Sequence, residues 1–496
     1  MRVSCLAIDV TNPDKPAASL AFMCGVCEHL DLDYQALSIN TEMLLHTHRE
    51  DYNRVHNALK LNDFDRLQQL SDPIANIILK QIQDYGPDII MVSLFSWMQF
   101  PLAKIILDKI RSSGCSAEII AGGPGIQSED TAKVTNGKKL AQKNLIDYYV
   151  LGEGDEVLVR FLQGERTLLG LNSRTDRFGE SWVPQIDDLD RHYVKPSYKK
   201  INLDVYHNLE YKEKAVLSVS TSRGCVRACS FCDVINVWPK FRYRSGKLVA
   251  EEILQLHKET GAVNFTIVDS LINGSLKSFR DFNDEVVCIK EKTPSLEKMS
   301  YNGLFIVRPR NTHKEDLFKT MAAAGCESLA IGVETGSDNL RMQMAKKFTN
   351  DDLDYHLEMC QKYGIRNTML LFVGYPTETR DDFEQTLRML ERYQHYLIDN
   401  TIISLNFSGV FSMYTNTPIY NDAAHLGIEI VETDSQQMKM LNWVNVNNPD
   451  LTVRERIMRD LTFRQRAAEL RYPIPNSARY LEYLQHIDKN FIPVSD

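Results

Sequence analysis

The chain has 496 residues, of which 43% are hydrophobic and 25% charged, and its formal net charge is −9. That length is too great for one compact core and implies about two to four domains. No run of about eighteen apolar residues occurs, which excludes a membrane-spanning helix, and no Lys/Arg block or basic stripe with interleaved aromatics points to nucleic acid as a partner.

The opening MRVSCLAIDV lacks a basic flank and a small-residue cleavage site, so it reads as a first strand and not as a signal peptide. A helix over PAASLAFMCGVCEHL and a strand over DYQALSI follow, then a polar helical insertion to about residue 84. PDIIMVSLF is a continuous apolar run of the kind found in buried parallel strands. The helix FPLAKIILDKIRSSG leads to the strand AEIIAGGPG, and IDYYVLGEGDE closes the set. Strand and helix alternate throughout 1–165, which predicts an α/β, Rossmann-type, doubly wound parallel sheet. Gly122, Gly123 and Gly125, then Gly152 and Gly154, fall just after strand ends, where such sheets bind ligands. Tight strand–helix turns explain these glycines equally well.

Residues 166–213 have little periodicity and read as a linker. From 214 to 409 the alternation resumes, with strands over AVLSVS, NFTIVDS, MSYNGLFI, SLAIGVE, NTMLLFV and TIISLNFS. Helices between them include KLVAEEILQLHKETG, KEDLFKTMAAAG and RDDFEQTLRMLERY. Six such units predict a partial (β/α)6, TIM-like barrel. Residues 410–496 form a mostly helical C-terminal extension, whose FSMYTNTPIY and LNWVNVNNP segments are expected to cover the barrel mouth and select the substrate.

Ten cysteines in a chain without a signal peptide suit a reducing cytoplasm, with thiols available for metal, better than a disulfide framework. Three of them, Cys225, Cys229 and Cys232 in TSRGCVRACSFCDV, directly follow the first barrel strand. The loop after a strand lies on the catalytic face of such a barrel. Three thiolates can hold three irons of a 4Fe–4S cluster and leave the fourth open. The alternative is a closed zinc or cluster site completed by a distant cysteine or histidine.

C-x3-C-x-aromatic-C, with Phe231 as the aromatic, resembles the signature of the radical S-adenosylmethionine superfamily. AGCESLAIGVETGSD and LLFVGYPTET resemble the wording of its fourth and fifth strands. The resemblance implies that S-adenosylmethionine chelates the open iron and that its reductive cleavage gives a 5′-deoxyadenosyl radical, which abstracts a substrate hydrogen. It further implies contacts from the backbone around Phe231 to adenine and from Glu334 to ribose hydroxyls or the methionine ammonium. Asp269 and Asn273 fall near the amino-acid moiety, although the family's Gly-Gly-Glu is missing there. Tyr301, Asn302, Arg308 and Arg310 are placed along the pocket, and Gly374 and Pro376 along the adenine wall. Arg223 and Arg227 flank the cysteines and would ease their negative charge. A flavodoxin- or ferredoxin-type reductant and a small-molecule or peptide substrate are the implied partners.

YGPDIIMVSLFS, IIAGGPG and YYVLGEGDE are similar to the cobalamin-binding branch of this superfamily. The first strand–helix loop, IDVTNPDKPAAS, has no D-x-H-x-x-G and so no lower cobalt ligand. Members of the branch are found with and without cobalamin, and both readings stay open. His46 and His48 belong to a polar helix, away from the ligand position. Cys5, Cys24 and Cys27 raise a second-cluster reading, as in methylthiotransferases, but Cys24 and Cys27 are better explained as buried small hydrophobes on a helix. Cys115, Cys288, Cys326 and Cys360 are expected to be structural. Three activities compete: cobalamin-dependent C-methylation, a cobalamin-free radical epimerisation, cyclisation or cleavage, and iron–sulfur binding without turnover.

Overall fold

The structure is a computed structural model that describes residues 1–10, 14–47, 49–60, 63–129, 133–175, 179–206, 214–415, 417–431 and 441–475. His48, residues 11–13 of the first strand–helix loop, and parts of the linker and C-terminal extension lie outside the described residues. The chain divides into two compact units, one of residues 1–219 and 251–266, the other of residues 220–250 and 267–496. No described helix is long and apolar enough to cross a membrane.

In the first unit β1 (Arg2–Ile8), β2 (Asp33–Ser38), β3 (Ile89–Leu94), β4 (Glu118–Gly122) and β5 (Tyr148–Val150) form a parallel sheet in the order β2-β1-β3-β4-β5. The order reverses beside β1, as a doubly wound sheet requires. Every residue of β3 is buried, because helices cover both faces of a parallel sheet. Leu6, Ile90 and Ile119 of the sheet share one core with Ile74, Leu102 and Ile106 of flanking helices. The polar insertion is helical, over Ile39–His46, Arg49–Lys60 and Phe64–Tyr85. Its last helix is capped by the Asp63 carboxylate and ends at Gly86 with φ +59°. Residues 171–173 hold an element absent from the sequence reading: β6 (Leu171–Ser173) pairs antiparallel with β5 at the sheet edge.

The barrel strands are β7 (Val216–Val219), β10 (Asn264–Ile267), β11 (Ser300–Phe305), β12 (Cys326–Glu334), β13 (Arg366–Val373) and β14 (Ile402–Val410), in sheet order β14-β13-β12-β11-β10-β7. Between β7 and β10 a short antiparallel pair joins β8 (Ser222–Arg223) and β9 (Arg242–Tyr243). Strands β11–β14 lie wholly in the second unit, and their side chains alternate between two faces. The outer face is packed under helices: Tyr301 Oη bonds Asn283 Oδ1 at 2.5 Å, His356 Nε2 lies 3.0 Å from Asn367 Oδ1, and Phe407 stacks on Phe463 with centroids 4.0 Å apart. The inner face carries Asn302, Leu304, Thr368, Leu370, Ser404 and Asn406, all partly or fully exposed. The C-terminal extension adds the helix Val453–Glu469 and, beyond the helical expectation, an antiparallel pair of β15 (Ile428–Ile430) and β16 (Trp443–Asn445).

Candidate functional site

The chain reaches the cysteine loop through Ser220–Ser222, and a buried carboxylate fixes that approach. Asp269 accepts hydrogen bonds from Ser220 Oγ (2.9 Å), the Thr221 amide (2.9 Å), Thr221 Oγ1 and Ser222 Oγ (3.1 Å). Burial pushes its carboxyl up to about 6, although each of these donors favours the ionised form. Gly224, with φ +86°, comes next; a Cβ there would lie 2.8 Å from the Lys240 carbonyl oxygen, so only glycine passes.

The three cysteines share one compact turn. The Arg227 amide donates to Cys225 Sγ at 3.4 Å, and the Cys232 amide to the Cys229 carbonyl at 3.1 Å. Ser230, between the second and third cysteines, donates its amide to Met344 O (3.2 Å) and accepts from the Ile419 amide (2.8 Å), while its Oγ meets Tyr375 Oη at 2.8 Å. Three separate segments therefore hold the middle of the turn. Burial raises the pKa of Cys229 and pushes Cys232 up to about 11, so both are thiols until a metal displaces their protons. Among the described residues no three His, Cys, Asp or Glu side chains converge on a point for a single metal ion.

Cations surround the turn. Arg227 and Arg308 are about half-buried, and the Nε of each is enclosed without a hydrogen-bond partner. Burial lowers the pKa of both; the thiols of Cys225 and Cys229 oppose this for Arg227, and Cys225 does so for Arg308. Unmet guanidinium donors beside three thiols fit a multiply negative group such as an iron–sulfur cluster.

Next to the turn is a buried ion pair. Lys346 Nζ lies 2.8 Å from Glu334 Oε1 and 5.8 Å from the centre of the Phe231 ring. Burial disfavours the Lys346 ammonium, yet Glu334, Cys229 and Cys232 together hold its pKa above the ordinary value. Glu334 has φ +66°, and Ala345 and Lys347, on either side of the lysine, have φ +59° and +56°. Three non-glycine residues in the left-handed region around one ion pair mark stored backbone strain, which concentrates at functional sites. The pairing of β12 with β13 shifts register between Gly332 and Glu334. A Cβ on Gly332 would lie 2.6 Å from both Glu334 Oε1 and Lys346 Nζ.

The remaining expected residues divide into two groups. Phe231 packs edge-on against Phe372 with ring centroids 5.3 Å apart, beside the cysteines. Asn273 is fully buried and clamps the end of β11, exchanging bonds with Ile306 O (2.9 Å) and Ile306 N (3.0 Å). Arg308 Nη2 donates to the carbonyls of Asn273 (2.8 Å) and Gly274 (3.0 Å). Gly374, with φ +78°, abuts a side chain of the C-terminal helix: a Cβ there would lie 2.9 Å from Arg456 Cγ. Its amide donates to Glu378 Oε2 at 2.7 Å, and the same carboxylate receives Arg459 Nη1 at 3.0 Å. Arg459 also binds the carbonyls of Glu378 and Thr379, while Asn445 and Asn448 bind the carbonyl of Pro376.

Other residues do not join the site. Tyr301 stands at the start of β11, on its outer face, fully buried against Phe282. Arg310 is exposed and stacks on Tyr355. In the first unit, Cβ atoms on Gly123 and Gly125 would meet the carbonyl oxygens of Leu94 (2.6 Å) and Ser96 (2.7 Å), and one on Gly152 that of Val183 (2.7 Å). Chain crossings thus account for these glycines, whereas a Cβ on Gly122 would make only an ordinary contact, 4.0 Å from Val150 Cβ. His46 pairs with Glu42 at 3.3 Å on its own helix. Cys5, Cys24 and Cys27 are fully buried, with 3.8 Å between the sulfurs of Cys5 and Cys27.

A three-thiol turn thus follows the first barrel strand, with cations and a buried ion pair beside it. Residues 219–390 match the model of the Radical SAM superfamily. The chain is similar to an uncharacterised methyltransferase of Pyrococcus horikoshii, 26% identical over 64% of this chain and 66% of that one. It spans 43% to 66% of the length of the curated relatives it matches. Among solved structures, the radical S-adenosylmethionine methyltransferase TsrM of Kitasatospora setae, with tryptophan and an aza analogue of S-adenosylmethionine bound, matches with TM-score 0.62 at 18% identity, over 90% of this chain and 80% of that one. The cobalamin-dependent radical enzyme OxsB, with aqua-cobalamin bound, matches with TM-score 0.65 at 18% identity, over 90% of this chain and 64% of that one. These likenesses establish the fold of both units.

Proposed function

We propose that Cys225, Cys229 and Cys232 hold a 4Fe–4S cluster with one open iron, and that the chain cleaves S-adenosylmethionine reductively to activate a carbon–hydrogen bond of a small-molecule or peptide substrate. The observation that carries this reading is the strained Glu334–Lys346 pair beside the cysteine turn. A carboxylate and an ammonium side by side complement the opposite charges of an amino-acid end, so they suit the methionine moiety. The cluster, when bound, supplies the single electron for the cleavage. Arg227 and Arg308 offset the negative charge gathered there, Asp269 and Ser230 fix the turn, and Phe231 and Gly374 border the nucleoside side. A flavodoxin- or ferredoxin-type protein is the proposed reductant.

Anaerobic reconstitution with iron and sulfide, followed by dithionite and S-adenosylmethionine, should yield 5′-deoxyadenosine, and Cys225→Ala should abolish it. Undiminished cleavage by Cys225→Ala would refute the assignment. A second reading, methyl transfer through cobalamin, is favoured by the fold shared with TsrM and OxsB. Retained hydroxocobalamin, with S-adenosylhomocysteine formed beside 5′-deoxyadenosine, supports it. 5′-Deoxyadenosine alone, without retained corrinoid, leaves the cobalamin-free radical reaction.

A further inference from the structure

The inner face of β11–β14 differs from the usual filling of a parallel barrel. Such interiors are packed by layers of Val, Ile and Leu. Here the inward positions are small or neutral and hydrogen-bonding, and solvent reaches them: Leu304 is 36% exposed, and Asn406 and Ser408 are exposed as well. Thr368 Oγ1 and Ser404 Oγ lie 3.0 Å apart across two strands, and Ser408 Oγ donates to Leu371 O at 3.3 Å.

Charge is confined to the two ends of this wall. Across the four strands the only ionisable acids and bases with full charges are Glu327, Arg366 and Glu334. Glu327 and Arg366 pair with each other where β12 and β13 begin. Glu334 is paired with Lys346 at the far end, directly above Gly332. Between these two neutralised pairs the wall offers only amide, hydroxyl and hydrocarbon groups. A carboxylate or ammonium lying against it would lose hydration and gain no counter-charge, whereas an uncharged group would find donors and acceptors.

We propose that this wall receives the reacting part of the substrate and selects it for being uncharged, with Asn302, Thr368, Ser404 and Asn406 supplying hydrogen bonds to amide or hydroxyl groups and Leu304 and Leu370 supplying apolar contact. The inference rests on the radical reading of the cysteine turn, because only then does a substrate have to lie below the Glu334–Lys346 pair. It adds what that reading leaves open: the chemical character of the molecule.

The test uses the reconstituted full chain and four probes of similar size. N-acetylphenylalanine amide and 3-phenylpropan-1-ol are uncharged, N-acetylphenylalanine is an anion, and 2-phenylethylamine is a cation. Equilibrium binding to the wild type is expected for an uncharged probe and to be about tenfold or more weaker for both ions, a difference of about 1.4 kcal/mol or more. The amide and the alcohol separate the two hydrogen-bonding chemistries. Asn406→Asp places a carboxylate on the exposed wall; it is expected to weaken the uncharged probes and to raise affinity for the cation. Equal binding of ions and neutral probes, binding of none, or an unaltered preference in Asn406→Asp overturns the proposal. Cluster absorbance and 5′-deoxyadenosine formation by the wild type report separately on the radical reading.

Discussion

Lys346 Nζ and Glu334 Oε1 stand 2.8 Å apart with both side chains 10% exposed, and the backbone at and around them is left-handed at three non-glycine positions. Removing one member leaves an uncompensated buried charge, which costs about 3–5 kcal/mol. Lys346→Met and Glu334→Gln should therefore each lower the melting temperature, and the double substitution should lower it less than the sum of the two. All three should raise the KM for S-adenosylmethionine. A double variant that regains both stability and cosubstrate affinity would show that the pair has only a structural part.

Asp269 should control metal loading without touching metal. Asp269→Ala strands the donors of Ser220, Thr221 and Ser222 in a buried place, at about 1–3 kcal/mol for each unmet donor. The expected result is a chain that folds but holds less iron per molecule after reconstitution, with all three cysteines intact. Iron content equal to the wild type would sink the idea that this carboxylate organises the turn.

Gly374 carries two separate demands, a positive φ of +78° and room for Arg456 Cγ. Gly374→Ala should cost about 1–3 kcal/mol through backbone strain alone, with the collision added. Arg456→Ala in the same chain should recover the collision and not the strain. Denaturant melts of the two single variants and the double would show that partial rescue, and complete rescue would contradict the strain account.

Glu378 gives a pH dependence of defined sign. Burial raises its carboxyl from 4.5 to about 7, against the pull of Arg459. The folded state thus binds this proton more tightly than the unfolded state does. Its contribution to stability is fully present below pH 4.5 and is lost as pH rises through about 7. Melting temperature followed across that window should fall less steeply in Glu378→Gln than in the wild type. Parallel curves would refute the assignment.

The sequence revealed what is contiguous and hid what is assembled. The three cysteines, Phe231 and six barrel strands were legible because each occupies one short stretch with its own spacing or periodicity. Lys346 was not, since one lysine in QMAKKF has no periodic signal and its place depends on two left-handed turns. Nothing in the sequence sets Arg456 and Arg459 apart from the other charged residues of their helix, yet both are buried by contacts from β13 and its following loop. Tyr301 was assigned to the pocket from its strand, but position along the strand and choice of face decide the outcome. It stands at the first turn of β11 on the helix-covered side. The three-residue β6 is too short for alternation to register.

Ancestry and mechanics draw different borders through the second half of this chain. The match to the superfamily model ends at residue 390. The grip on the Pro376–Thr379 turn comes from Asn445, Asn448 and Arg459, well past that border. Divergence of the tail alone therefore alters how the turn is held while every cysteine stays in place, a path to new substrates that leaves the hereditary signature untouched.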